Sequence, residues 1–397
     1  MNLIIEKGSP SGIVKAPPAK SYIHRQMICA ALSGGECTVR NVCESDDVSA
    51  TADCLRALGY EVSFYGDSVH IKSGAAASYE LFCRQSGSTL RFFIPICLAY
   101  SRDIVLHGDV TLMRRPLSVY EKLCAEQGLK FEVTDNAVTV RGKADVRDLY
   151  VSGAVSSQFI TGILLSAPLY GTDCTVHIAP PFVSRPYIDI TLSVMKDHGV
   201  TAGFTDEYTL FVPGGQKYEP VDSTSEGDWS GAAFLYLLGA FHRGIRITGL
   251  DENSLQGDKV IVRQLDMIKA GTPVIDVTDC PDNAPALMAA AAACGGATLT
   301  GTSRLKIKES DRGAAMAEEL LKFGVKTEIG DDSIKIGCGI KRPSLPLYGH
   351  GDHRIVMACT CLLTLTGGEI HGAEAVKKSY PGFFEDLSSI GVKIKQE

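Results

Sequence analysis

Six times along the chain a short polar or charged phrase is followed by an apolar stretch of about a dozen residues, a glycine and a short strand-like run. The openings are AKSYIHR from Ala19, QSGSTLR from Gln85, VSSQ from Val155, EGDWSG from Glu226, PDNAP from Pro281 and GDHR from Gly351. The apolar stretches predict helices. A second helix with a mixed pattern follows in every copy, as in SATADCLRALGYEVSF and LSVYEKLCAEQGLKFEV, and closes on Gly59, Gly128, Gly199, Gly271, Gly324 or Gly391. Glycine there supplies the left-handed residue that terminates a helix, and the runs after it, rich in Val, Ile, Thr and Phe, predict strands. Each copy therefore reads as βαβαββ, and the spacing of roughly 55 to 70 residues leaves room for both helices.

Helices packed on sheets need several copies to close a core, so three copies are expected to build one domain and three the other. The midpoint falls between Val212 and Glu226, in the Gly/Pro/Ser-rich stretch PGGQKYEPVDSTSEGD, which reads as a linker. The first strand, around Asn2 to Val14, precedes the first phrase and could belong to either half. Two similar halves joined by a linker imply a cleft between them.

Composition narrows the function without naming it. A chain of 397 residues, 45% hydrophobic and 21% charged, has an ordinary globular balance. The net charge of -7 argues against a general nucleic-acid binder but leaves room for a basic pocket aimed at a small anion. MNLIIEKGSP has no basic region or cleavage pattern of a secretory signal, and no apolar run reaches transmembrane length. The thirteen cysteines form no C-x-x-C pair, and most, among them Cys29, Cys97, Cys294, Cys359 and Cys361, sit in apolar helical stretches. They read as buried thiols of a reducing cytoplasm, with no metal site.

Charge is most concentrated in Lys306-Ile307-Lys308-Glu309-Ser310-Asp311-Arg312, with five ionisable side chains in seven residues. A helix beginning near Ser310 or Asp311 would place this cluster at its N-terminus, where backbone N–H groups and the helix dipole favour an anion. Elsewhere the cations Lys20, Arg25, Arg91, Arg114, Arg115, Arg354 and Lys377 or Lys378 fall in or near the recurring phrases. Arginine forks bind phosphate and carboxylate oxygens in pairs, so this inventory predicts a ligand with several negative charges. Ser86-Gly87-Ser88-Thr89 and Ser156-Ser157-Gln158 add donors of the kind that cradle phosphates, although either alone is equally a turn or an N-cap. Asp228, Asp282, Glu309 and Asp352 lie in the same phrases. Carboxylates beside fixed cations suit proton transfer next to a phosphorylated substrate, with helix capping as the competing reading.

Seven phrases now stand in order: Lys20-Ser21 with Arg25, Ser86-Gly87-Ser88-Thr89-Leu90-Arg91, Arg114-Arg115-Pro116, Ser156-Ser157-Gln158-Phe159, Ser184-Arg185-Pro186-Tyr187, Lys308 to Arg312, and Asp352-His353-Arg354. In this combination the chain resembles the enolpyruvyl transferases over nearly its whole length, in particular those acting on shikimate 3-phosphate. The resemblance implies two inside-out α/β domains, each of three βαβαββ units, with the active site in the interdomain cleft. One would span 19–225; the other would be built from both chain ends, 1–18 and 226–397, with hinges near Ala19 and Ser225.

The implied reaction moves the enolpyruvyl group of phosphoenolpyruvate to the 5-hydroxyl of shikimate 3-phosphate and releases phosphate. By the same resemblance Ser21, Arg25, Ser156, Ser157, Ser184, Tyr187 and Lys308 would hold shikimate 3-phosphate. Lys20, Gly87, Arg115, Gln158, Arg312, Arg354 and Lys378 would surround phosphoenolpyruvate, and Asp282, Glu309 and Lys20 would move protons. No cofactor, metal, nucleic acid or membrane is implied, and a cytoplasmic monomer is expected. Gln85, Phe92 and Arg304 depart from the best-known members. The sister activity on UDP-N-acetylglucosamine is disfavoured by Val110, which stands where that group carries a reactive Cys. A non-catalytic anion binder on the same scaffold would need the cations but not the acids.

Overall fold

The computed structural model describes residues 1–75, 77–100, 102–271 and 273–396. The chain divides into two compact units, Pro18–Ser225 and Met1–Pro17 with Glu226–Glu397.

In the unit 18–225 three four-stranded sheets repeat one topology, a parallel pair extended by two antiparallel strands. Cys37–Arg40 pairs in parallel with Ser223–Thr224 and antiparallel with Ser68–Ser73, which carries Tyr60–Tyr65. Glu80–Phe82, Ile104–His107, Ala137–Arg141 and Lys130–Val133 form the second sheet. Asp148–Ser152, Cys174–Ala179, Thr209–Val212 and Gly203–Phe204 form the third.

The first helices of the copies are buried on all sides. In Gly87–Cys97 ten of eleven residues are buried, and in Ser157–Tyr170 eleven of fourteen. A helix apolar all round belongs inside a core. The strands instead alternate, as in Cys174–Ala179, so one sheet face packs inward and the other faces solvent. Helices inside and sheets outside make the inside-out arrangement, and they bring the N-termini of the buried helices, with their charged phrases, to one end of the core.

The other unit follows the same plan with two full sheets. Val274–Asp276, Ala297–Thr300, Ser333–Ile336 and Thr327–Ile329 form one; Leu347–Tyr348, Gly368–His371, Asn2–Ile5 and Ile394–Gln396 form the other. The third is reduced to the parallel pair Gly12–Lys15 and Ile245–Thr248. One copy thus departs from the βαβαββ pattern that the others follow. After the helix Ile261–Ala270 too few residues remain before the turn Pro281–Asn283 to form a hairpin, and Val274–Asp276 instead supplies the first strand of the next sheet. Gly271 accordingly has φ 164°, extended, whereas Gly59, Gly128, Gly199, Gly324 and Gly391 are left-handed as expected. The expected single strand from Asn2 to Val14 is two strands in different sheets of this unit.

Ten of the thirteen cysteines are buried, but Cys294, expected inside an apolar helix, is exposed at that helix's end. Among the described residues no helix is long and apolar enough to cross a membrane.

Candidate active site

Asp311 caps the helix Arg312–Lys322, accepting from the Ala314 amide at 3.1 Å, and so fixes Arg312 as its first residue. The Arg312 side chain is 2% exposed and reaches three carboxylates. Nη1 donates to Asp282 Oδ1 at 2.7 Å, Nη2 to Glu309 Oε2 at 2.7 Å and Nε to Asp352 Oδ2 at 2.8 Å. Asp282 in turn collects three cations, because Lys308 Nζ lies 3.3 Å from Oδ1 and Arg354 Nη2 lies 3.0 Å from Oδ2. Arg354 is steadied by the Ser230 hydroxyl at 2.7 Å, and Asp352 both caps the Arg354 amide at 2.9 Å and accepts from Ser310 at 3.2 Å. The phrases EGDWSG, PDNAP and GDHR, far apart in sequence, thus meet through Ser230, Asp282, Asp352 and Arg354, with the 308–312 cluster in their midst.

Three cations and three carboxylates share this network, and their mutual fields set its titration. Burial alone would raise the Asp282 carboxyl, but Arg354, Lys308 and Arg312 hold it well below the usual carboxylate range. Burial brings Lys308 down to about 8, against the pull of Asp282 and with the push of Arg312 and nearby Arg304. Burial opposes the charge of Arg312, yet Asp352, Glu309 and Asp282 keep it firmly protonated. Burial also works against the Asp352 anion, which Arg312 and then His353 hold below its ordinary value.

The unit 18–225 gathers its own phrases. Lys20 opens the helix Lys20–Leu32 and pairs with Asp47 at 2.7 Å. Arg25, further along the same helix, is 3% exposed and, among the described residues, bonded only to neutral oxygens: Thr191 Oγ1 at 2.8 Å, Thr161 Oγ1 at 3.2 Å, Ser21 O at 2.6 Å and Tyr187 O at 3.1 Å. Burial pushes this guanidinium down to about 10, so it remains charged at neutral pH. A buried cation without a bonded acid leaves a site that an anion would stabilise. Phe92, one of the unusual residues, lies under it, with the guanidinium 5.1 Å from the ring centre.

Gln158 is held at both ends of its amide, by Arg91 Nη1 at 2.6 Å and Ser88 Oγ at 2.9 Å. Ser156 caps its helix through the Gln158 amide at 3.3 Å, and Ser157 beside it is buried. Ser86 caps the helix Gly87–Cys97, and Gly87 has Arg115 against it so closely that a Cβ would lie 2.5 Å from Nη1. Ser184 is buried and left-handed at φ 57°, just before the helix that carries Tyr187.

The sequence-chosen residues therefore fall into two sets, one in each unit. Lys378 is buried at the end of the turn Ala373–Lys378, which packs on the helix His353–Thr366. Sequence reasoning missed Asp47, Ser230, Thr161 and Thr191. Asp47 had a signal: ESDD precedes the second helix of its copy just as KESD precedes Arg312. The two threonines had none, because their role depends on a buried arginine meeting two helices.

A family model described as EPSP synthase (3-phosphoshikimate 1-carboxyvinyltransferase) matches residues 5–387. The 3-phosphoshikimate 1-carboxyvinyltransferase of Clostridium kluyveri is 37% identical over 409 residues, covering 97% of this chain and 96% of that protein. The protein of the same name from Clostridium perfringens is 35% identical over 422 residues, covering 100% and 99%. Among solved structures, EPSP synthase from Acinetobacter baumannii aligns over 100% of both chains with a TM-score of 0.80 at 23% identity. The enolpyruvyl transferase NikO from Streptomyces tendae aligns over 99% and 98% with a TM-score of 0.75 at 15% identity. These two share the fold.

Proposed function

The chain belongs to the EPSP synthase family, and on that footing we propose how its two groups of polar side chains divide one reaction. That reaction is transfer of the enolpyruvyl group of phosphoenolpyruvate to the 5-hydroxyl of shikimate 3-phosphate, releasing phosphate by addition and elimination. The observation that carries the reading is the match over the whole chain to relatives of that one activity. The network at Asp282 supplies its chemistry.

Both substrates carry a phosphate and a carboxylate, so a site for them must offer several cations without leaving those cations uncompensated beforehand. Asp282, Glu309 and Asp352 compensate Lys308, Arg312 and Arg354. We assign Lys308 to shikimate 3-phosphate with Arg25, Ser21, Ser156, Ser157, Ser184 and Tyr187. Arg312 and Arg354 go to phosphoenolpyruvate with Lys20, Gly87, Arg115, Gln158 and Lys378. Each anionic group that draws one of these cations takes positive charge away from Asp282. Its carboxylate, a poor base while three cations hold it, then becomes basic enough to accept the proton of the 5-hydroxyl. Substrate binding and activation of the base are one event in this scheme.

As the hydroxyl oxygen attacks the enolpyruvyl carbon, a proton is delivered to the methylene carbon, making it a methyl group. Lys20 and Glu309 exchange that proton; the fixed guanidinium groups stabilise the charge that develops on the carboxylate and phosphate. Elimination returns one methyl proton and expels phosphate. Running the reaction in deuterium oxide tests this sequence. A methyl intermediate that returns to substrate or proceeds to product leaves deuterium in the methylene group of both. Product free of deuterium, formed at a normal rate, would rule out addition and elimination.

A further inference from the structure

The helix Arg312–Lys322 carries a buried acid that the reaction does not use. Glu319 stands seven residues after Arg312, two turns along the same face, and its side chain is 0% exposed. Its oxygens accept bonds from Lys322 Nζ at 2.9 Å each, from His350 Nε2 at 2.7 Å on Oε1 and from the Tyr348 amide at 3.0 Å on Oε2. The Lys322 ammonium, lying across both oxygens, fills the place a free cation would take. Burial disfavours the Glu319 anion, and these donors hold it below its ordinary value nonetheless.

His350 belongs to the short segment that joins the strand Leu347–Tyr348 to Asp352, the cap of the helix bearing Arg354. It is left-handed at φ 51°, a conformation that is strained for a non-glycine residue and persists where the surroundings enforce it. The segment is fastened on both sides of His350, at Gly349 and at Asp352. Gly349 donates to His371 O at 2.9 Å, and a Cβ there would come within 2.6 Å of Val356. The Asp352 amide donates to Gly349 O at 2.8 Å, and its carboxylate receives Arg312. One helix thus grips this segment twice, through Glu319 at its start and through Arg312 at its end, with two rigid turns as the spacer.

We propose that Glu319 and His350 are a positioning pair for the transfer reaction: they set the 348–352 segment so that Asp352 meets Arg312 and presents Arg354 to phosphoenolpyruvate. The proposal rests on the assignment of Arg312 and Arg354 to that substrate. The pair is tightest with the imidazole protonated, and the bond to Glu319 raises His350 above its ordinary value, against burial and the Lys322 charge. The other ionisable groups facing it are few. Glu318 and Lys322 share the helix; Tyr348 carries the Lys322 ammonium 4.5 Å above its ring and meets the edge of His371, itself bonded to Glu369. From the helix behind, Cys359 contributes a thiol that burial keeps protonated.

The test uses the full-length protein and two variants at a position whose side chain is 23% exposed, so that folding survives. His350→Leu removes the donor; His350→Gln keeps an amide donor that does not titrate. His350→Leu is expected to raise KM for phosphoenolpyruvate on the order of 10-fold while KM for shikimate 3-phosphate changes less than about twofold, since displacing a binding group by a fraction of an ångström suffices for such a loss. His350→Gln is expected to recover most of that loss. It should also flatten the rise in KM for phosphoenolpyruvate expected of wild-type protein as pH increases through the His350 titration. Wild-type turnover in the same assay reports on the reaction itself, so the pair is judged by variant-to-wild-type ratios alone. Unchanged KM for phosphoenolpyruvate in folded His350→Leu, or equal losses for both substrates, overturns the proposal.

Discussion

Replacing Asp282 by Asn separates the base from its surroundings. Asparagine keeps the shape and one acceptor oxygen, enough for Arg312 or Arg354, now 2.7 Å and 3.0 Å from separate carboxylate oxygens, but not for both, and it cannot take a proton. Loss of a positioned base costs ~10²- to 10⁴-fold, or about 2.7 to 5.4 kcal/mol in the barrier. The same change removes one of the three negative charges that balance Lys308, Arg312 and Arg354. A unit charge at ~4 Å and an effective dielectric near 20 interacts by about 4 kcal/mol, so even a strongly screened fraction of that favours an incoming anion. Asp282→Asn should therefore turn over at least ~10²-fold more slowly and yet bind shikimate 3-phosphate as tightly as wild type, or more tightly. Phosphate release gives the first quantity and calorimetric titration the second, on protein whose fold is checked by circular dichroism. Turnover within tenfold of wild type would remove Asp282 as the base. A loss of shikimate 3-phosphate affinity matching the loss of turnover would mean that the residue serves binding alone.

Three further outcomes follow from the same geometry. Lys308 is charged below about 8 and loses its proton above it, so kcat/KM for shikimate 3-phosphate should fall as pH rises past that value, and the fall should move to lower pH in Asp282→Asn; a flat profile to pH 9.5 contradicts this. Arg25→Lys replaces a fork that spans Thr161, Thr191 and two carbonyls with a point charge, and should weaken shikimate 3-phosphate by ~10- to 100-fold with phosphoenolpyruvate unaffected, as read by separate KM values. Gly87→Ala places a methyl 2.5 Å from Arg115 Nη1, at the movable end of that side chain, so the protein should fold normally while KM for phosphoenolpyruvate rises ~10-fold or more; an unaltered KM would show that Arg115 does not need its present position.

Much of this was legible before any coordinates, and the limits have physical causes. The recurring apolar helix and terminal glycine are local signals, so the repeat and most helix ends could be read directly. Gly271 misled because a glycine after a helix can equally lead straight into a strand, and only the short distance to Pro281 decides which. The break within Asn2–Val14 is marked by GSPSG at 8–12, but strand partnership is non-local, so the assignment of the two strands to different sheets is not. In the site, residues carrying their own charge, such as Lys308, Arg312 and Asp282, were identifiable from the company they keep. Thr161, Thr191 and Ser230 matter only as neighbours of a buried arginine, which no periodicity encodes. Arg91 was countable as a cation, but its commitment to Gln158 required the packing of the helices Gly87–Cys97 and Ser157–Tyr170.

The measurement that bears most directly on the whole account is phosphate release from phosphoenolpyruvate by the purified protein, with shikimate 3-phosphate as acceptor in one reaction and UDP-N-acetylglucosamine in another. Release is expected in the first alone. Release in the second alone would keep the chemistry and overturn the acceptor, and silence in both from folded protein would contradict the transferase reading itself.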